Sequence, residues 1–563
     1  MRAGLVLAVV VLLACPVTAL AQARPTPPRD RPAMPTGTGV IRGRVVAADT
    51  GRPLRRVRVT ITATELGGVP RNVSTDADGR YEVTELPAAR FRVAARRSGY
   101  LPLQYGQRRP LELGKPLEML EGQVVEHVDF ALPRMGIITG RVLDDTGDPI
   151  EGVLVTAMRS RFWAGRRQLV PTGSGFTQTD DAGQYRLLGL APDTYYVMAS
   201  TRESWTVTER GVTRTMGFAP TYAPGTTSAT DARRVTVSLG QEQGNVDVSL
   251  VPGRAAMISG TAFDSHGQPF ANVELNEEIR GESFGRFGTV ARATVAADGT
   301  FTLRNVGPGE YKLTASSGRG TDHPEAAIVP MSVDSVDVEG VSLIGSEGGS
   351  ITGLLTTEDG TALPTRVRVT AAPPVNGQAD PVLLGTFRDP GSGEVMSDGS
   401  FSIKGVFGRA RLRVTLPDTW MVRTIAQGGR DLTDRTIELR SGETLEDVRI
   451  LITKQVTTVD GQIADARGKP ITEATVVIFA DDAQAWGEDS RAVRAVRLDQ
   501  QGRYKVPGLP PGDYLAVALE YVEDGTWNDP EFLESLRRLA SKFTLAENGS
   551  QSLALKLATG DGR

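Results

Sequence analysis

The chain has 563 residues, with 63 Lys+Arg against 67 Asp+Glu and a formal net charge of -4. That near balance excludes a strongly basic nucleic-acid binder, and the length implies several domains, each with its own core. With 63 Gly, 34 Pro and 40% hydrophobic residues, the chain is too punctuated for a helical protein and too apolar for wholesale disorder.

The amino terminus reads as a targeting segment. Arg2 precedes an unbroken apolar run from Leu5 to Ala14, which has the length of a signal-peptide core and is too short to span a bilayer. Ala19-Leu20-Ala21 supplies the small residues a signal peptidase reads, so residues 1–21 are expected to leave and Gln22 to become the first mature residue. Leu12-Leu13-Ala14-Cys15 offers an alternative, a lipobox that would place a lipid anchor on Cys15. Both readings export the chain to the periplasm, the cell envelope or the medium. Cleavage after Ala21 removes the single Cys, so stability must come from packed cores and not from disulfides. Residues 22–38 carry Pro25, Pro27, Pro28, Pro32 and Pro35 and read as an extended linker. No later apolar run is long enough to cross a membrane.

Internal repetition organises the rest. Ile41-Arg42-Gly43-Arg44-Val45 returns as Ile138-Thr139-Gly140-Arg141-Val142, Ile258-Ser259-Gly260-Thr261-Ala262, Ile351-Thr352-Gly353-Leu354-Leu355 and Val459-Asp460-Gly461-Gln462-Ile463. The recurring glycines are 97, 120, 93 and 108 residues apart, the size of single β-sandwich domains. Each phrase leads into a turn such as Asp145-Thr146-Gly147-Asp148-Pro149, and module four departs by placing Ala362 where the proline belongs. Alternating β-branched residues follow, as in Val57-Arg58-Val59-Thr60-Ile61. A second turn then enters a strand with an inward aromatic: Asp78-Gly79-Arg80-Tyr81, Ala182-Gly183-Gln184-Tyr185, Asp298-Gly299-Thr300-Phe301, Asp398-Gly399-Ser400-Phe401 and Gln501-Gly502-Arg503-Tyr504.

These motifs resemble the carboxypeptidase regulatory-like domain, over about residues 39 to 558. The resemblance implies an all-β chain, a tandem array of about five transthyretin-like (prealbumin-like, Ig-like) β-sandwich modules within the carbohydrate-binding-like fold. Its modules are expected over 39–135, 136–254, 255–348, 349–455 and 456–563. It also implies non-catalytic, accessory behaviour, with carbohydrate as the leading ligand class and a cell-envelope protein partner as the alternative. Residues 529–542 break the β pattern and predict one short helix in module five, capped by Asp529, with Leu533, Leu536, Leu539 and Ala540 in one apolar stripe.

No residue set points to catalysis, a metal or a cofactor. His127, His266 and His323 lie far apart in sequence and share no zinc-ligand spacing with one another, and read as surface residues. The Asp pairs of the turns, such as Asp76 and Asp78, are read as binding their own backbone, since calcium would need six to eight oxygens. What remains is a binding surface. Module two inserts Arg159-Ser160-Arg161-Phe162-Trp163-Ala164-Gly165-Arg166-Arg167, and module five carries Trp486 in the corresponding segment. Rings beside guanidinium groups suit an acidic sugar, so Phe162, Trp163, Arg161, Arg166, Arg167 and Trp486 are the candidate ligand-binding residues, the alternative being that the rings cap the core of their own module. Charge is also uneven. Residues 39–135 hold 16 basic and 11 acidic residues, whereas 456–563 hold 12 and 17, which suits head-to-tail contact.

Overall fold

The structure, a computed structural model, describes residues 36–63, 69–163, 166–277, 289–317, 324–334, 336–364, 367–372, 392–417, 419–465, 469–487 and 490–558. The expected signal peptide, Cys15 and the linker up to residue 35 lie outside the described residues. The rest is an all-β array of five sandwiches. Their hydrophobic clusters run from Ile41 to Leu132, Ile138 to Leu250, Ala256 to Leu343, Ile351 to Ile452 and Val459 to Leu555. Among the described residues no helix is long and apolar enough to cross a membrane.

Module one shows the plan. In one sheet Gly39–Ala47 runs antiparallel to Arg80–Leu86 and parallel to Val124–Val125 and Phe130–Leu132. The other sheet is built on Arg58–Thr62, which lies between Arg71–Ser74 and Ala89–Arg96. Alternation seals the two sheets together: Val57, Val59 and Ile61 are all fully buried, as period-2 patterning requires of a strand with one face inward.

The repeated glycine has a specific cause. In every module it sits directly opposite the aromatic of the second turn, in the pairs Gly43–Tyr81, Gly140–Tyr185, Gly260–Phe301, Gly353–Phe401 and Gly461–Tyr504. A Cβ at any of these glycines would run into a carbonyl oxygen of the adjoining parallel segment, at Val341 or Val448 within its strand and at Val128, Val246 or Leu553 in the break between its two short strands. In modules one, two and five the Tyr hydroxyl donates to that same carbonyl, at 2.6 Å from Tyr81 to Val128 and 2.9 Å from Tyr504 to Leu553, and in module two from Tyr185 to Val246. Two motifs some 40 residues apart in sequence are thus halves of one close approach. Phe301 and Phe401 keep the packing without the hydrogen bond.

The turns behave as the residue types dictate. Asp76 Oδ1 accepts from the N–H groups of Asp78 and Arg80, and Asp180 and Asp499 do the same in modules two and five. The proline of the first turn forms an antiparallel bridge in four modules, through Pro53, Pro149, Pro269 and Pro470. In module four no such bridge forms among the described residues, in keeping with Ala362.

Two elements differ from expectation. The helix spans Pro530–Leu536 and not 529–542. Asp529 caps it by accepting from Glu531 N–H at 3.0 Å, but beyond Arg537 the chain turns, and Ser541–Leu545 joins the sheet beside Gly512–Leu519. Sheet pairing satisfies the backbone there, while Arg537 and Lys542 both close on Asp481. Leu533 and Leu536 are buried, whereas Leu539 is exposed. Module two also carries an unforeseen three-stranded sheet, Ser204–Glu209, Val212–Ala219 and Val251–Arg254, which leads into module three.

Candidate functional site

The module-two insert is not a free loop. It extends a long hairpin, Leu154–Trp163 against Arg166–Gln178, in which Phe162 faces Arg167 and Trp163 faces Arg166 across the ladder. Period-2 geometry puts Arg159 and Arg161 on one face, and that face meets module five. Arg159 Nη1 lies 2.9 Å from Asp193 and 3.3 Å from Glu523, and Arg161 pairs with the same Glu523 carboxylate. Arg167 pairs with Asp529, the residue that caps the module-five helix, with Glu531 at 3.8 Å. Burial, with Arg159 alongside, lowers the Arg161 pKa to about 10. The candidate residues Arg161 and Arg167 are therefore engaged between modules, and Phe162 is half-buried. The side chains of Trp163 and Arg166 lie outside the described residues.

Trp486, expected among the ligand-binding residues, faces inward instead. It is 5% exposed and belongs to the module-five core, edge-on to Phe479 at 5.6 Å. Its indole N–H donates to Ala480 O at 2.6 Å, and Arg537 covers the ring at 4.8 Å. The short 3-10 turn Ala483–Ala485, capped by Asp482, folds the segment back and carries the ring inward. A large ring buries more apolar surface there than a ligand face could leave it.

Modules one and five meet inside one chain through ion pairs of both polarities. Arg497, with a side chain 0% exposed, pairs with Glu112 of module one and, at 2.8 Å, with Glu473. Lys115 and Arg108 reach Glu473 from module one, at 2.5 and 3.5 Å, and Arg109 stacks on Tyr521 at 5.1 Å. A backbone bond from Asp524 N–H to Leu111 O, at 2.8 Å, joins the two modules directly. Module four closes on module five through Arg491, which holds both oxygens of Asp434 at 2.6 to 3.0 Å and donates to Val422 O at 3.1 Å. Burial pushes the Asp434 carboxyl up, yet Arg491, with Arg413 and Arg411 behind it, outweighs that and holds it below the usual carboxylate range.

Where modules one, four and five meet they leave a cavity of about 470 Å³, within the range of small-molecule sites. Arg90 and Arg92 line it from module one, Trp420 from module four, and Arg491, Arg494, Arg497, Lys505 and Asp524 from module five. Asp524 is the one carboxylate in this lining, and burial raises its pKa. A second groove, in module two, is walled by Trp205 and Phe218, 4.7 Å apart, together with Asp145, Glu151 and Glu203. Neither was legible in the sequence, because each gathers residues whose neighbourhood only the fold creates.

Of the histidines, His127 is exposed and His323 lies outside the described residues. His266 is exposed but not isolated. Its Nδ1 lies 3.1 Å from Glu325, and Asp264 completes a group whose potential ligand atoms fall within 4.8 Å of one another. Glu325 already accepts from Ser265 N–H and Oγ–H, and Asp264 from the N–H groups of His266 and Gln268. The group fastens the first turn of module three to the strand Glu325–Val333.

No curated protein matches the chain. Among solved structures, the minor pilin of Streptococcus agalactiae is similar over 38% of this chain and 95% of its own, at 12% identity and a TM-score of 0.22. The major pilin subunit of Bacillus cereus is similar over 55% and 99%, at 10% identity and a TM-score of 0.14. Two B repeat units of the collagen-binding protein of Staphylococcus aureus cover 74% of this chain and 99% of their own, at 12% identity and a TM-score of 0.13. Residues 40–133 and 137–251 match the family model of the carboxypeptidase regulatory-like domain, so modules one and two are identified as carboxypeptidase regulatory-like domains.

Proposed function

We propose that the protein is an exported, non-catalytic scaffold of the cell envelope that presents five β-sandwiches in a fixed arrangement to protein partners. The observation that carries this reading is the docking of modules one, two and four on module five. Arg161, Arg167, Arg497 and Arg491 are engaged in holding modules to one another. A chain of beads joined only by linkers would leave such residues to solvent, whereas a scaffold needs its modules at set distances. The test has two parts. Photo-crosslinking from exposed positions in the native envelope is expected to join one face of the array to one envelope protein reproducibly, and crosslinks scattered over all faces would refute the reading. The intact mass of the mature protein is expected to begin at Gln22, and a diacylglycerol adduct on Cys15 would replace the soluble form with an anchored one.

A second reading, carbohydrate binding, is favoured by the Trp205 groove. A half-buried indole beside Asp145, Glu151 and Glu203 offers a stacking face and hydrogen-bond acceptors for a neutral sugar. The reading predicts glycan-array signal that Trp205→Ala abolishes with the melting temperature of module two unchanged. A blank array would leave the scaffold reading alone.

A further inference from the structure

We propose that the cavity between modules one, four and five is a binding site for a small anionic molecule, a carboxylate or phosphate group carried on a body one or two sugar rings in size. Of the cations lining the cavity, Arg491 is neutralised by Asp434, and Arg497 by Glu112 and Glu473. Arg92 and Lys505 have no hydrogen-bond or ion-pair partner among the described residues, and Arg494 donates only to the carbonyl oxygens of Ser490 and Val493, at 2.7 and 2.8 Å. Against these three cations the lining sets one carboxylate, Asp524, which burial makes easier to neutralise. The site is short of negative charge.

The second observation is an orphaned donor. The Nε–H of Arg497 is buried without an acceptor, and its residue lines the same cavity. A buried guanidinium N–H left without a partner is costly, and an anionic oxygen in the cavity would supply the acceptor. The third is shape. A volume of about 470 Å³ exceeds what a bare phosphate fills, and Trp420 and Pro417 add flat apolar surface on the module-four side. The cations therefore select the charge, and the module-four wall selects a ring-sized body. Because Arg92 stands on the first module and Lys505 on the last, the ligand would bridge them and strengthen the closed arrangement.

The experiment uses the full mature chain and calorimetric titration with digalacturonate, inorganic phosphate and neutral cellobiose. The expected result is binding of digalacturonate, weakened by added salt, and weakened about tenfold or more by Arg92→Gln and by Lys505→Gln separately. Both side chains are exposed, so these variants keep the fold, and unchanged melting curves verify it. Tighter binding of phosphate than of digalacturonate, with the same dependence on both residues, would support the site and assign it a phosphorylated ligand. The proposal is overturned if neither anion binds at millimolar concentration, if cellobiose binds as well as digalacturonate, or if both variants bind like the parent.

Discussion

Arg161, near the tip of the module-two hairpin, pairs with Glu523 in the last module of the chain, and Arg159 shares the same carboxylate. One acidic residue therefore meets two guanidinium groups of the hairpin, of which Arg159 also has Asp193 at 2.9 Å. Glu523→Ala is expected to leave Arg161 short of a partner and to cost about 1–3 kcal/mol. The measurement is small-angle scattering alongside melting. The variant should gain radius of gyration as module two swings free, and an unchanged radius would show that other contacts hold the closed form.

Arg497 is the most deeply buried of the docking residues, and its role predicts a recoverable defect. Arg497→Met removes the charge that balances Glu112, whose side chain is 5% exposed, and should cost about 3–5 kcal/mol. Adding Glu112→Gln removes the stranded charge while keeping an acceptor for the Arg108 N–H. The double variant should melt above the single one. If it melts no higher, the loss lies in packing and not in charge.

The contact between modules four and five should weaken in acid. Asp434 has a folded-state pKa depressed below its unfolded value of about 3.9, so its contribution is fully present above that value. The contribution is lost as pH falls through the depressed folded pKa. The stability difference between the parent and Asp434→Asn should thus be complete at neutral pH and shrink below about pH 4. A difference that stays constant down to pH 2 would contradict the assignment.

Leu536 is 1% exposed on the module-five helix. Leu536→Asp places a charge in that core and should lower the module-five transition by about 2–4 kcal/mol. The same change at Leu539, which is exposed, should alter it little. Calorimetry of the two variants separates a helix that packs from one that merely forms.

The repeated glycine gives a prediction that any module can test. Gly140→Ala drives a Cβ into the Val246 carbonyl that Tyr185 also approaches. Separation of those strands should cost about 1–3 kcal/mol or more, and module two should melt first. Tyr185→Phe keeps the packing, as module three does with Phe301, and should cost about 1 kcal/mol. Equal losses from the two changes would mean that the hydrogen bond, and not the close approach, explains the glycine.

The local plan was legible in the residues: five modules, their turns, their alternating strands, and a glycine and an aromatic that recur in each, although that the two face each other came only from the strand register. Those features rest on interactions within one module, where residue type and period decide the outcome. The capped start of the module-five helix was legible for the same reason, since Asp529 and Pro530 act on their immediate neighbours. The helix end was not, because pairing of Ser541–Leu545 with Gly512–Leu519 competes from a distance. Trp486 and the hairpin arginines carry the residue types of a recognition surface, and what they face follows from contacts distant in sequence. Trp486 turns into its own core, and Arg161 meets a carboxylate that the sequence places far away. The cationic cavity belongs to the same class. Its walls come from three modules, and no period or spacing along the chain encodes how β-sandwiches dock, since docking depends on charge and shape summed over surfaces that sequence order does not bring together.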